Sequence, residues 1–149
     1  MIMQSADNVA NSEIDEGVRK FNNILRAAKS RWGEFYYDFS NKIARGVLTT
    51  KSKETYIGEL SFNDVKDHIF LTVRIAARNA FAPARTEAFQ RFSNNRIGLS
   101  QITLDREDQI VNVRAATAVS QAATRHAVES IFADTFDLLE DEDLLGLLA

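Results

Sequence analysis

The run Ile97-Gly98-Leu99-Ser100-Gln101-Ile102-Thr103-Leu104-Asp105-Arg106-Glu107-Asp108-Gln109-Ile110-Val111-Asn112-Val113-Arg114-Ala115 decides how this chain is read. Ile97, Leu99, Ile102 and Leu104 lead into the polar turn Asp105-Arg106-Glu107-Asp108, and Ile110, Val111, Val113 and Ala115 lead out of it. Two β-preferring runs joined by four polar residues predict a hairpin. Beyond it Ser120 is placed to open a helix. Ala123, Ala127, Val128, Ile131, Phe132, Thr135 and Leu139 then recur at spacings of three and four. That period puts one apolar stripe against the sheet and leaves Arg125, Glu129 and Asp137 outside.

Upstream the same pattern of alternation recurs. Tyr56, Gly58, Leu60 and Phe62 alternate with Ile57, Glu59 and Ser61; after Asn63-Asp64-Val65-Lys66-Asp67, Ile69, Leu71, Val73 and Ile75 alternate with Phe70, Thr72 and Arg74. A second hairpin is expected there. Pro83, the only proline, stands where a helix begins, and Ala84, Ala88, Phe89 and Phe92 mark its inner face up to Asn94-Asn95.

Nearer the N-terminus, Ile14, Val18, Phe21, Leu25 and Ala28 predict a helix from Ser12 to about Ser30. Ser12 with Asp15 resembles a capping box, and Glu13, Asp15 and Glu16 suit the positive end of the helix. The four-and-three spacing runs on through Trp32, Phe35, Phe39, Ile43 and Val47. Gly33, Gly46 and the aromatics Phe35-Tyr36-Tyr37 speak for a strand instead. The period favours helical continuation, and the order is then α-ββ-α-ββ-α.

Strand pairs joined by hairpins imply an antiparallel sheet with helices on one face, an α+β fold. A chain of 149 residues with 45% hydrophobic and 26% charged residues is expected to form one domain. We expect it over residues 12–139, with a disordered stretch at 1–11 and an acidic, leucine-rich tail at 140–149. No apolar run of about 18 residues spans a membrane, and Met1 to Asn11 has no signal-peptide pattern. The absence of cysteine fits a reducing compartment, and a cytoplasmic protein is expected.

The net charge of −3 is unevenly spread. Residues 1–96 hold 15 Lys/Arg against 11 Asp/Glu, and residues 97–149 hold 3 against 10. A mildly basic half and a strongly acidic half favour self-association or a basic protein partner.

The segment Phe92 to Asp105, in this order of elements, resembles the YbjN-like family and, more distantly, class I type III secretion chaperones. Phe92, Asn94, Asn95 and Asp105 carry the match: a helix ending in Phe-x-Asn-Asn, then an apolar strand closed by Asp. The resemblance covers roughly Tyr56 to Leu139 and implies the fold α-β-β-β-α-β-β-α and a chaperone-like role. It departs at the N-terminus, where the family has a first strand and this chain has the long helical period.

No stretch carries a catalytic signature. His68 and His126 lie far apart without HxxxH or HExxH spacing, so structural or surface roles are expected and no metal site. There is no Gly-x-Ser-x-Gly elbow, and the six glycines are isolated, so no phosphate cradle forms. No enzyme, catalytic residue or cofactor is expected. Arg74, Arg78, Arg85, Arg91 and Arg96, interleaved with Phe81, Phe89 and Phe92, are the residues a single-stranded nucleic-acid surface would use. The phenylalanines equally fit a core. In the tail, Leu144, Leu145, Leu147 and Leu148 follow four consecutive carboxylates and must pack on the domain, on a second copy or in a partner's groove. The expectation is a protein-binding, chaperone-like or regulatory homodimer that uses these leucines and the uncovered sheet face. A nucleic-acid binder is the alternative.

Overall fold

The computed structural model describes residues 12–120 and 123–149, with side chains from residue 16 onward. The Ser12–Asp15 capping box and the expected disorder of residues 1–11 lie outside what is described. Helix α1 (Ser12–Ala28) is followed by strands β1 (Phe35–Asp38), β2 (Ile43–Thr49), β3 (Thr55–Asn63) and β4 (His68–Ala76). A short 3-10 turn (Arg78–Phe81) leads to α2 (Pro83–Asn95), β5 (Ser100–Asp105), β6 (Ile110–Ala118), α3 (Thr124–Leu139) and α4 (Glu142–Leu148). The strands form one antiparallel six-stranded sheet in the order β1-β2-β3-β4-β6-β5.

The strand period of two assigns the faces. Ala44 and Leu48, Leu60 and Phe62, Ile69, Leu71 and Val73, and Val111, Val113 and Ala115 all point to one side and are buried. Leu60 stands opposite Leu71, and Leu71 opposite Ala115, so neighbouring strands deliver apolar side chains to the same row. Helix α3 lies over β4, β5 and β6, and α1 packs along α3. Phe21, Ile24, Leu25 and Ala28 of α1 meet Val128, Ile131 and Phe132 of α3 in this single core. Helix α2 reaches the β5 end through Phe89 and also holds α4.

Two expectations are corrected. Residues 35–38 and 43–49 are strands, so helical continuation through residue 47 is wrong and the sheet has six strands where two pairs were expected. Helix α1 stops at Ala28; Gly33 N–H then donates to Val47 O at 2.8 Å, and Val47 N–H to Glu34 O at 3.2 Å, which draws the chain into the sheet. The apparent stripe splits between faces. Phe35 stands opposite Gly46 on the core side, while Ile43 and Val47 fall on the other side, out of phase with buried Ala44 and Leu48. Helix α3 begins at Thr124, whose hydroxyl donates to the Ser120 carbonyl at 3.0 Å, and not at Ser120 itself.

Three hairpins close with one local device. A side-chain oxygen at the end of the first strand accepts from backbone N–H groups of the turn: Asp38 from Asn41, Asn63 from Val65 and Lys66, and Asp105 from Asp108. The Asn41 side-chain amide, together with its backbone N–H, holds the Asp38 carboxyl below its usual range. The last turn residue is left-handed in each: Lys42 at φ 52°, Asp67 at 51° and Gln109 at 57°. A non-glycine residue there is strained by roughly 1 kcal/mol. Gln109→Gly is therefore expected to stabilise the protein by up to about 1 kcal/mol, raising the thermal midpoint by about 2–4 °C. A lower midpoint would contradict this account of the turn.

Candidate functional site

The face of the sheet opposite the core carries no helix from the described residues: α1 and α3 both lie on the other side. One row crosses all six strands on this open face, Tyr36–Arg45–Glu59–Thr72–Arg114–Gln101. Its composition changes along the way. On β1 to β3 apolar side chains flank the row's Arg45 and Glu59: Tyr36 is 69% and Ile57 59% exposed, and Ile43 and Val47 are half-buried. The charges there neutralise each other, since Arg45 Nε donates to Glu59 Oε1 at 2.9 Å.

Toward β4, β6 and β5 the face turns polar and cationic. Arg114 sits over the Phe70 ring at 4.2 Å, a cation–π contact that pins the guanidinium on the surface. His68 stacks near Phe70 with centroids 6.4 Å apart, and its Nδ1 lies 2.7 Å from the Lys66 carbonyl. A carbonyl only accepts, so Nδ1 carries the proton. The ring is therefore held by its own turn. Arg74 is exposed opposite Asn112, and Thr103 and Gln101 complete this half.

The five arginines of the nucleic-acid alternative do not form one surface. Only Arg74 is on the open face. Arg85 is turned to the end of α4, Arg91 pairs with Glu87 at 3.2 Å, and Arg96 pairs with Asp134 at 3.3 Å while only 16% exposed. Arg78 is exposed on the 3-10 turn. Phe89 is buried, and Phe81 and Phe92 pack against the core, so these aromatics are not available for base stacking. Arg74 belongs to β4, while the other arginines and the phenylalanines lie on the 3-10 turn, helix α2 and its end, pointing in different directions.

The tail is folded onto the domain. Asp141 caps α4, its carboxylate accepting from Asp143 N–H at 2.9 Å and Leu144 N–H at 3.2 Å. Leu144 is fully buried, and Leu147 and Leu148 pack against the core from half-buried positions, with Leu145 also half-buried. Arg85 Nη1 donates to the carbonyls of Gly146 at 3.2 Å, Leu147 at 2.8 Å and Ala149 at 3.2 Å, meeting the negative end of the helix. With α4 docked, Leu144 is closed to any partner.

Sequence reasoning placed Ile57, Phe70 and Arg74 on the non-core phase of their strands but singled out only Arg74. Arg114 and Tyr36 were missed. Alternation was the available signal for Arg114, because Asn112 and Arg114 interleave with apolar Val111, Val113 and Ala115.

No family model and no curated protein matches this sequence. Chains of solved complexes align with it. A chain of the HopA1–SchA chaperone–effector complex aligns over 78% of this chain and 90% of its own length, with 9% identity and a TM-score of 0.52. A chain of the ExsC–ExsE complex covers 78% and 88%, with 10% identity and a TM-score of 0.44, a level too low to carry an argument. The first likeness is one of fold. The structure has four strands between α1 and α2, where the resemblance described above implies three. The chain thus shares its α+β fold with a chain of the HopA1–SchA complex, and in it an antiparallel sheet carries helices on one face while the other face is open.

Proposed function

We propose that this protein is a non-enzymatic, chaperone-like module that binds a polypeptide on the open face of its sheet and acts as a homodimer. The observation that carries the reading is the open face itself, with Tyr36 and Ile57 exposed on strands and half-buried Val47 opposite Ile57. Clustered exposed apolar side chains on an ordered surface mark an interaction site. Its support from outside is the fold shared with a chain from a complex described as chaperone and effector. The uneven charge of the two halves of the sequence favours self-association as well.

Affinity purification of the tagged protein with nuclease present tests the reading, alongside sedimentation of the purified protein. The wild type is expected to sediment as a dimer and to retain a discrete protein in near-equal amount. Ile57→Asp, at an exposed position, is expected to stay folded and lose that protein. Unchanged retention by Ile57→Asp would remove the open face from the reading. A nuclease-sensitive complex that dissolves at high salt would replace it with nucleic-acid binding.

A further inference from the structure

We infer that the polypeptide taken by the open face is an acidic one: a short apolar stretch adjoining two or more carboxylates, lying across the strands from β2 to β6. This rests on the polypeptide-binding reading above and adds the chemistry of the partner.

The argument begins with two arginines. Arg74 on β4 stands opposite Asn112 on β6, and Arg114 stands two residues further along β6, so the two are diagonal neighbours on one face, roughly 7–8 Å apart at the backbone. Like charges so placed repel each other. Neither enters an ion pair found among the described residues. Glu59, the carboxylate diagonal to Arg74, is already turned to Arg45 at 2.9 Å. The groups around the pair, Thr72, Asn112, Gln101 and Thr103, are uncharged hydrogen-bonding side chains. In a chain of net charge −3, two guanidinium groups thus share a polar patch whose neighbouring carboxylate, Glu59, is already paired with Arg45. That patch suits carboxylates, which guanidinium groups bind through paired hydrogen bonds.

Next to the cationic half lies the apolar half. Ile57 is beside Arg74, one register step beyond the Gly58–Val73 pair, and Val47 stands opposite Ile57. From β2 to β6 is three strand spacings, about 14 Å, which four or five extended residues span. A ligand with adjoining apolar and acidic parts matches both halves at once. A nucleic-acid strand does not, because it carries a phosphate at every nucleotide and would lay charge over the apolar half as well, beside Asp38 and Glu59.

The test uses the full-length protein and three labelled peptides of about twelve residues. Each has the same Ile/Val/Thr stretch, followed by glutamates, glutamines or lysines. A single-stranded oligonucleotide is the fourth probe, and fluorescence anisotropy is the readout. The glutamate peptide is expected to bind about tenfold more tightly than the glutamine peptide, to weaken as salt rises, and to lose that advantage in Arg74→Glu/Arg114→Glu. The lysine peptide is expected to gain on the double variant. Arg74→Lys/Arg114→Lys, which keeps the charge, should retain most of the preference. Equal binding of glutamate and glutamine peptides, lost in Ile57→Asp, would overturn the acidic specificity and leave polypeptide binding standing. No peptide binding at all, with Ile57→Asp silent, would overturn both. Tighter binding of the oligonucleotide than of any peptide would also overturn the inference, as would a glutamate peptide insensitive to the double variant.

Discussion

Leu144→Ala is expected to destabilise the protein by about 2–5 kcal/mol, the range for truncating a fully buried leucine. The expectation is large because α4 is held at three points. Leu144 is 0% exposed, Asp141 caps the first turn, and Arg85 binds the last carbonyls. A seven-residue helix has little stability of its own, so its order comes from this docking. Removing the Leu144 side chain leaves a cavity where α4 meets the core and withdraws most of the reason for the helix to form. Urea unfolding followed by circular dichroism measures the loss, a large share of a total stability of about 5–15 kcal/mol. A change below about 0.5 kcal/mol, typical of a surface substitution, would instead make the tail leucines free partner-binding elements. The two roles expected for these residues, docking on the domain and capture of a partner, make opposite demands on Leu144.

Phe132→Ala is expected to cost about 3–5 kcal/mol. Phe132 is 1% exposed on α3 and meets Trp32 edge to face, with ring centroids 5.3 Å apart. Trp32 in turn stacks on Phe35 of β1 at 5.2 Å. These three rings join the helix layer to the outermost strand, so the substitution removes a buried ring and loosens β1 together. Gly46 makes room for the stack, since a Cβ there would lie 3.0 Å from Trp32 ring atoms and 2.6 Å from the Phe35 Cβ. Trp32 is the only tryptophan, which makes its fluorescence a direct reporter. In the folded Phe132→Ala variant its emission should shift to the red as water reaches the ring. A loss below about 1 kcal/mol with unshifted emission would show that the stack does not hold β1.

The same cluster explains where the sequence was legible and where it misled. From Tyr56 onward, alternation and turn chemistry agree: Asn63 and Asp105 cap their turns, Pro83 opens α2, and the strands fall close to where the period of two puts them. Between residues 32 and 47 they disagree. Trp32, Phe35, Phe39, Ile43 and Val47 fall at helical spacing because Trp32 and Phe35 pack on the core side while Ile43 and Val47 belong to the opposite face of β2. A one-dimensional period cannot separate one stripe from two half-stripes on different faces. The residues that show β2 to be a strand are Ala44, Gly46 and Leu48, two of them too small to register as a hydrophobic pattern.

The candidate site divides in the same way. Alternation alone set Ile57, Phe70 and Arg74 on the side away from the core. Only the pairing of β4 with β6 brings Arg114 beside Arg74, 40 positions on in the chain, and over Phe70. Only tertiary packing scattered Arg85, Arg91 and Arg96 to different partners and sank Leu144 into the domain. Local physics, the burial of one face at a period of 2 or 3.6 and the capping of turns, determined the α+β class, the β3–β4 and β5–β6 hairpins and three of the helices from sequence. Strand order, register and the docking of α4 depend on contacts between residues far apart in the chain, whose energies no local pattern records, and these the tertiary structure decided.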